Sequence, residues 1–240
     1  MAGDRAALAA VNNAVWCDAV CRARGGATAW GDGLWHHAGT SPPYFPSAVT
    51  LSPAATNAQV LQALQGRGGE DVVGVKDSFC QLDLGGAGFE RLFEARWLWH
   101  EPAAGAQPEA RLRWAAVETP ALLAAWTAAW WPDPASAPPA PAMFGEGLLA
   151  DAAVQLLAGF DGARLVAGCA VTRSGGVAGL SCCFFPPGEA GSGRAELLAV
   201  AQHRHPGRPL VTYDQGEALQ AWRGLGFAEV GPLRVWLGRR

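Results

Sequence analysis

The 240-residue chain contains a single lysine, Lys76, with two tyrosines and two methionines, and only 16% of its residues are charged. Its basic residues are therefore almost all arginine, and its net charge of -3 comes without a basic tract or an acidic tail. That excludes the electrostatic footprint expected of a nucleic-acid binder or of a protein held on an anionic membrane. Long apolar runs are missing too. The longest, ALLAAWTAAWW, is too short to span a bilayer. An acidic residue close to the N-terminus, followed by Asn12 and Asn13 inside the first apolar stretch, makes a poor signal peptide, so a cytoplasmic protein is expected. The six cysteines show no CxxC-type spacing and should be mostly reduced in that compartment. Cys17 and Cys21 share a helix face and have His36 and His37 nearby in sequence, but the pattern does not amount to a zinc site, and no metal is expected.

What is present is core-forming material. Half of the chain is hydrophobic, with 11 tryptophans, 31 glycines and 17 prolines. Helical spacing runs over residues 5–24, and ATAW-GDG-LWHH reads as a hairpin. YFPSAVTLSP, DVVGVKDSF and GFERLFEARWLW read as strands, with a helix, ATNAQVLQALQ, after the first. The polar segment 100–110 is the best domain boundary. Beyond it come the strand RLRWAAVET and a helix, PALLAAWTAAWW, opened by Thr119-Pro120. The Pro/Ala-rich stretch 132–142 follows as an exposed loop, and EGLLADAAVQLLAG is expected to be a second helix. Strands ARLVAGCAVTR and GVAGLSCCFF are joined by Ser174-Gly175-Gly176. Then come a glycine turn with the helix RAELLAVAQHR, the strand PLVTYD, the helix GEALQAWRGLG, and two strands, FAEV and PLRVWLG.

The two halves share an order of elements. Asp77 matches Asp214, Gly88-Phe89 matches Gly226-Phe227, and Arg96 matches Arg234. The reading is a duplicated unit, residues 1–105 and 106–240, in an α/β (α+β) fold with a mixed sheet flanked by helices. Only the second copy carries the glycine turn, Gly188-Glu189-Ala190-Gly191-Ser192-Gly193-Arg194; the first has SPAATNAQ in its place. A glycine turn ahead of a helix N-terminus is either a plain loop or an anion site, because free N–H groups and the helix dipole favour a phosphate there. Without a Lys-Ser/Thr ending it is not a Walker A loop.

In the order of its elements, the segment 110–240 resembles the GCN5-related N-acetyltransferase family. The resemblance rests on the turn Gly188–Gly193 after an apolar strand and on the Leu225-Gly226-Phe227 closure of the last helix. It implies a tandem acyl-CoA N-acyltransferase-like fold and binding of acetyl-CoA by Phe184, Phe185, Gly188, Glu189, Ala190, Gly191, Ser192, Gly193 and Arg194. It also implies acetyl transfer to an amine of a small molecule or a protein. Backbone donors near Cys183 and Phe184 would polarise the thioester carbonyl. Two positions depart from the family: Gly188 replaces an Arg or Gln at the start of the turn, and Trp222 stands where a catalytic Tyr is often found. Indole cannot protonate a thiolate. Tyr213 is the substitute acid, and Glu146, Asp151 and Glu118 are candidate bases; ordinary strand-end or solvated roles remain open for each. Cys182 and Cys183 read as packing or as nucleophiles, and Trp130 and Trp131 as core or as acceptor-pocket walls. Arg194, His203 and Arg204 could reach phosphates, or His203 and His205 could cap the helix. The alternative function is a non-catalytic CoA-binding or protein-interaction module. An edge strand or the Trp-rich surface could support a homodimer.

Overall fold

Local chemistry sets the element boundaries. In a computed structural model, which describes residues 2–65, 72–102, 110–131 and 143–239, the first half runs α1 (Ala2–Ala23), β1 (Thr28–Gly31), β2 (Leu34–His37), β3 (Ala48–Thr50), α2 (Asn57–Ala63), β4 (Val72–Asp77) and β5 (Phe89–His100). The rest comprises β6 (Arg113–Ala116), α3 (Pro120–Trp130), β7 (Val154–Asp161), β8 (Arg164–Ser174), β9 (Val177–Phe184), α4 (Ala190–Arg204), β10 (Leu210–Asp214), α5 (Gly216–Gly224) and β11 (Ala228–Arg239). α3 starts as its sequence dictates, with the Thr119 side chain accepting from the Leu122 N–H and Pro120 in the first turn. The β8–β9 hairpin turns on Gly175 and Gly176, at φ 53° and 84°, where glycine alone is unstrained. The segments 103–109 and 132–142, which hold most of the expected boundary and the proline-rich loop, lie outside the described residues.

Three expectations are corrected. EGLLADAAVQLLAG is not one helix: a single 3₁₀ turn, Glu146–Ala150, ends at Asp151, whose carboxylate accepts from the Ala153 N–H, and β7 follows. β7 lies between β6 and β8 with Leu156, Leu157 and Ala158 all buried. A strand buried on both faces has no alternation to distinguish it from a helix. FAEV and PLRVWLG are one strand, β11, with a register shift between Glu229 and Gly231. The glycine segment is not wholly a turn, since α4 already begins at Ala190.

All eleven described strands form one sheet, ordered β1-β2-β3-β4-β11-β5-β10-β9-β8-β7-β6. The C-terminal strand β11 thus sits between β4 and β5, and β5 sits between β11 and β10. Their antiparallel register centres on Ala95 opposite Leu233. On one flank Arg234 lies opposite Asp77, and on the other Arg96 lies opposite Asp214. The residues matched between the two halves therefore meet across a local two-fold register.

α1 crosses one face of this sheet and touches strands from both halves. Its two asparagines, which break an otherwise apolar stretch, are buried and used. The Asn12 amide donates to the Thr172 carbonyl (2.8 Å) and the Ser174 hydroxyl (3.1 Å), and Gly179 leaves room for it where a Cβ would not. Asn13 accepts from Lys76 at 2.6 Å. Asp18 is also buried, and its carboxylate takes the indole N–H of Trp35 (2.9 Å) and Trp30 (3.1 Å) and the Arg22 guanidinium (2.7 Å).

Two predictions follow from this architecture. Ending the chain after Phe227 removes β11 from between β4 and β5 and strips ladder partners from both, so the truncated protein should lose its cooperative unfolding transition by circular dichroism. His205, at the C-terminus of α4, is pushed down to about 4 from its ordinary 6.5, first by burial and then by the Arg173, Arg208 and Arg204 charges. The unfolded chain therefore takes up this proton first as pH falls. The stability that neutral His205 contributes is complete above about 6.5 and declines toward about 4. Denaturant midpoints measured across that range should fall more steeply for wild type than for His205→Gln.

Candidate functional site

β9 and β10 run parallel but pair only at Ala178–Leu210 and Gly179–Val211. Beyond those pairs they diverge, and the Thr212 hydroxyl bonds the Leu180 carbonyl (3.0 Å) at the fork. β9 then bulges. Its ladder with β8 passes from Ser181–Ala170 to Phe184–Gly168, so Cys182 and Cys183 oppose the single residue Cys169, and Cys182 takes a left-handed φ of 52°. Non-glycine residues rarely occupy that region, and such strain collects at functional sites.

Fork and bulge open a cavity of about 290 Å³. α1 contributes Asn13, Trp16 and Cys17 to its wall, and β4 contributes Lys76. The far side comes from Cys182, Cys183, Tyr213, Asp214, Arg194 and Trp222. Lys76 Nζ donates to Asn13 Oδ1 and, at 3.2 Å, to the Tyr213 hydroxyl oxygen, and lies 4.3 Å from the centre of the Tyr213 ring. Burial pulls the lysine down, but the Tyr213 hydroxyl and the Cys17 thiol outweigh that pull and leave it above its ordinary range. Because Lys76 donates to the Tyr213 oxygen, the phenol's own proton must point elsewhere, and Tyr213 lines the cavity as a donor.

Asp214 closes the same strand. Its oxygens accept from the Gln215 N–H (3.1 Å) and the Trp222 indole N–H (3.1 Å). Burial raises its carboxyl above the ordinary range, against the opposing effects of Gln215, Trp222 and Arg194. The thiols of Cys17 and Cys182 are poor nucleophiles. Burial pushes Cys17 up to about 11 and raises Cys182 further.

At the mouth of the fork, α4 opens without a side-chain cap. Gly193 N–H bonds the Glu189 carbonyl (2.8 Å), so the amides of Ala190, Gly191 and Ser192 precede the first intrahelical donor. A Cβ on Gly191 would meet nothing within 4 Å, whereas one on Gly193 would come within 2.5 Å of the Phe185 ring. Gly191 thus presents bare backbone to open space, and Gly193 lets Phe185 pack. α2, by contrast, is closed by a capping box: Thr56 accepts from the Gln59 N–H, and Gln59 accepts from the Thr56 N–H. Arg194 lies over the rings of Phe185 (5.4 Å) and Trp222 (5.6 Å), and its Nε is buried without a partner among the described residues. Glu189 pairs with Arg111.

The structure brings Tyr213, Arg194, Cys182, Cys183, Trp130 and Trp222 to one cavity. Phe185 backs Arg194, and Phe184 packs edge-on against Trp126. The remaining candidates lie elsewhere. Glu146 is exposed on its 3₁₀ turn, Glu118 is exposed, and Asp151 is bound to Arg22 (2.8 Å). His203 is exposed, and Arg204 donates to the Trp114 carbonyl. Cys21 is buried in the core while Cys17, also buried, reaches the cavity wall, and His37 bonds Ser41 (3.0 Å). Trp131 packs at a tilt against Tyr44 rather than lining the cavity. Sequence reasoning passed over Asn13, Lys76 and Asp214. Their signals were an asparagine pair in an apolar helix, a lone lysine, and an aspartate noted only as a repeat marker.

No family model matches this sequence, and no curated protein does. Solved structures do. A GCN5-related N-acetyltransferase from Kribbella flavida superposes at a TM-score of 0.60, with 17% identity, over 94% of this chain and 95% of that one. A GNAT-family acetyltransferase structure from Novosphingobium aromaticivorans gives 0.56 and 19%, over 92% and 97%. A functionally unknown conserved protein from Staphylococcus epidermidis gives 0.55 and 11%, over 76% and 77%. The chain has the GCN5-related N-acetyltransferase fold. Among the described residues no helix is long and apolar enough to cross a membrane.

The two glycines of α4 should separate by experiment. Gly193→Ala must displace Phe185 and should cost about 1–3 kcal/mol in denaturant unfolding, as overpacking does. Gly191→Ala has open space and should be neutral or slightly stabilising.

Proposed function

We propose that the chain is an acyl-CoA-dependent N-acyltransferase that moves an acetyl group from acetyl-CoA to an amine. One observation carries this reading: the uncapped start of α4 lies at the mouth of a forked, bulged pair of strands whose cavity holds Tyr213 and Asp214. The residues fit the co-substrate. Three amides and the glycine backbone at Gly191 suit a pyrophosphate, and the orphaned Arg194 Nε is a donor awaiting an acceptor.

Acetyl-CoA supplies the acyl group already activated as a thioester. Ala190, Gly191 and Ser192 would hold its phosphates, and the bulge at Cys182–Cys183 would present backbone donors to the carbonyl. Asp214 serves as the base that takes the amine proton, its raised affinity for protons bringing it closer to that task. Tyr213 gives its proton to the departing sulfur. Trp222 is then a positioning residue, since its indole N–H fixes the Asp214 carboxylate.

The wider reading is a tandem of two related units, residues 1–105 and 106–240, with the acceptor a small-molecule or protein amine. The register that sets Asp77 against Arg234 and Asp214 against Arg96 supports the duplication, and the capping box of α2 supports the loss of the first cradle.

The test combines binding and turnover. Thermal shift with acetyl-CoA, CoA and dephospho-CoA should show stabilisation, and no shift with any of them would overturn the proposal. With free thiol as the readout, Tyr213→Phe and Asp214→Asn should each lower kcat about 100-fold or more while leaving the KM for acetyl-CoA nearly unchanged. Wild-type kcat should fall on the acid side as Asp214 takes up its proton, at a pH above the ordinary carboxylate range. Trp222→Phe, which removes a donor to that carboxylate, should move the same limb to higher pH.

A further inference from the structure

A second cavity, of about 310 Å³, adjoins the first. Both are lined by Tyr44, Phe45, Pro46, Lys76 and Tyr213. From that shared wall the second runs over β4, β11 and β5, where Val72, Leu92, Phe93, Val235 and Leu237 line it. Among the described residues no carboxylate or guanidinium lines it, and Lys76 is its one cation. Leu92 and Val72 are exposed there, at 55% and 49%. The groove is therefore apolar, open to solvent, and continuous with the proposed transfer site.

Lys76 is the anomaly at the junction. It is 5% exposed, and its two hydrogen-bond partners among the described residues, Asn13 and Tyr213, are neutral oxygens. An ammonium has three N–H donors, so one remains for whatever enters the cavities that Lys76 lines. The neighbouring carboxylates are already engaged: Asp77 by the N–H groups of Gln81 and Leu82, Asp214 by Gln215 and Trp222. A ligand carboxylate would give that remaining donor a charged acceptor, the stronger class of hydrogen bond.

On the transferase reading above, we infer that the acceptor is an amino carboxylate with an apolar body, an α-amino acid with a hydrophobic side chain being the simplest case. Its carboxylate pairs with Lys76, its side chain lies in the groove of Phe93, Val235 and Leu237, and its amine faces the fork. The step balances: the N–C bond forms as the C–S bond breaks, one N–H proton passes to Asp214, and the Tyr213 proton passes to sulfur. Solvent then restores Tyr213 and discharges Asp214. The products are the N-acetyl amino acid and free CoA thiol.

The experiment compares L-leucine with L-leucinamide and 3-methylbutylamine, which keep the amine and the apolar body but lack the carboxylate. With acetyl-CoA saturating, kcat/KM should favour leucine by about tenfold or more, the range of a charged hydrogen-bonded contact. Lys76→Met should erase that preference. A role confined to orienting Tyr213 would instead lower all three acceptors equally. Leu92→Glu, on the exposed rim, should weaken leucine more than glycine. A binding arm is read regardless of turnover or variant folding: N-acetyl-L-leucine should raise the wild-type Tm and N-acetyl-L-leucinamide should not. Equal rates for leucine and leucinamide, or equal Tm effects of the two acetylated compounds, would overturn the acceptor assignment while leaving the transferase reading intact. Absence of any acetyl-CoA shift would instead sink the transferase reading, and the binding arm would still judge the carboxylate site.

Discussion

Everything in this molecule hangs on the pairing of β5 with β11. Each is the long closing strand of its half, and each is inserted beside the other half's strands. Neither half can complete its hydrogen-bond ladder alone, since β4 finds its antiparallel partner only in β11 and β10 only in β5. Non-local pairing of this kind is costly in chain entropy. It is held by the apolar surface that α1 and the two closing strands bury together, Ala6, Ala9, Trp97 and Leu233 among them. The same insertion sets the distance between β4 and β10. Three strand spacings, about 14 Å, separate their backbones, a gap that a lysine and a tyrosine can span by leaning toward each other. Lys76 and Tyr213 do so, at 3.2 Å.

That contact explains why a chain so poor in lysine keeps one at this place. Arginine is planar and forked and would demand several acceptors. Lys76 meets two oxygens with a compact ammonium, and α1 supplies the first of them through Asn13. The helix thus links the halves twice, through Asn13 to β4 and through Asn12 to β8 and its turn. Polar side chains in its buried face serve registry here, and a purely apolar helix would have packed without fixing which residue meets which strand.

Legibility in the sequence followed the range of the interaction. Capping and turn chemistry is local, so α3 and the β8–β9 turn were readable from Thr119-Pro120 and Ser174-Gly175-Gly176. β7 was misread because the rule for it is not local: its neighbours bury both faces, and only they decide between strand and helix. The matched pairs Asp77/Asp214 and Arg96/Arg234 were visible as repeats, but a repeat alone does not say that Arg96 will face Asp214 instead of Asp77. The site was half visible. Tyr213 and Arg194 are attached to a glycine-marked helix and its following strand. Lys76 and Asn13 reach the cavity from more than 100 residues away, by a route that exists only after strand insertion. Glu146, a candidate base, is exposed on a 3₁₀ turn that leads into a strand and does not line the cavity.

The most instructive position is Trp222. Compared with the family pattern it looks like a loss, since indole cannot protonate a thiolate. In the folded chain it is buried against Phe227, with its N–H on Asp214 and Arg194 above its ring. A tyrosine there could also donate to Asp214, but its hydroxyl would bring an acceptor and a second titrating proton into a crowded, half-buried corner. Tryptophan gives one fixed donor and nothing that titrates. On the proposed assignment of the acid to Tyr213, this position is free to hold the carboxylate still. Lys76 then becomes part of the same arrangement. By occupying the Tyr213 oxygen from the first half, it directs the phenol's proton into the cavity, so the first half of the chain shapes a cavity that the second half shares.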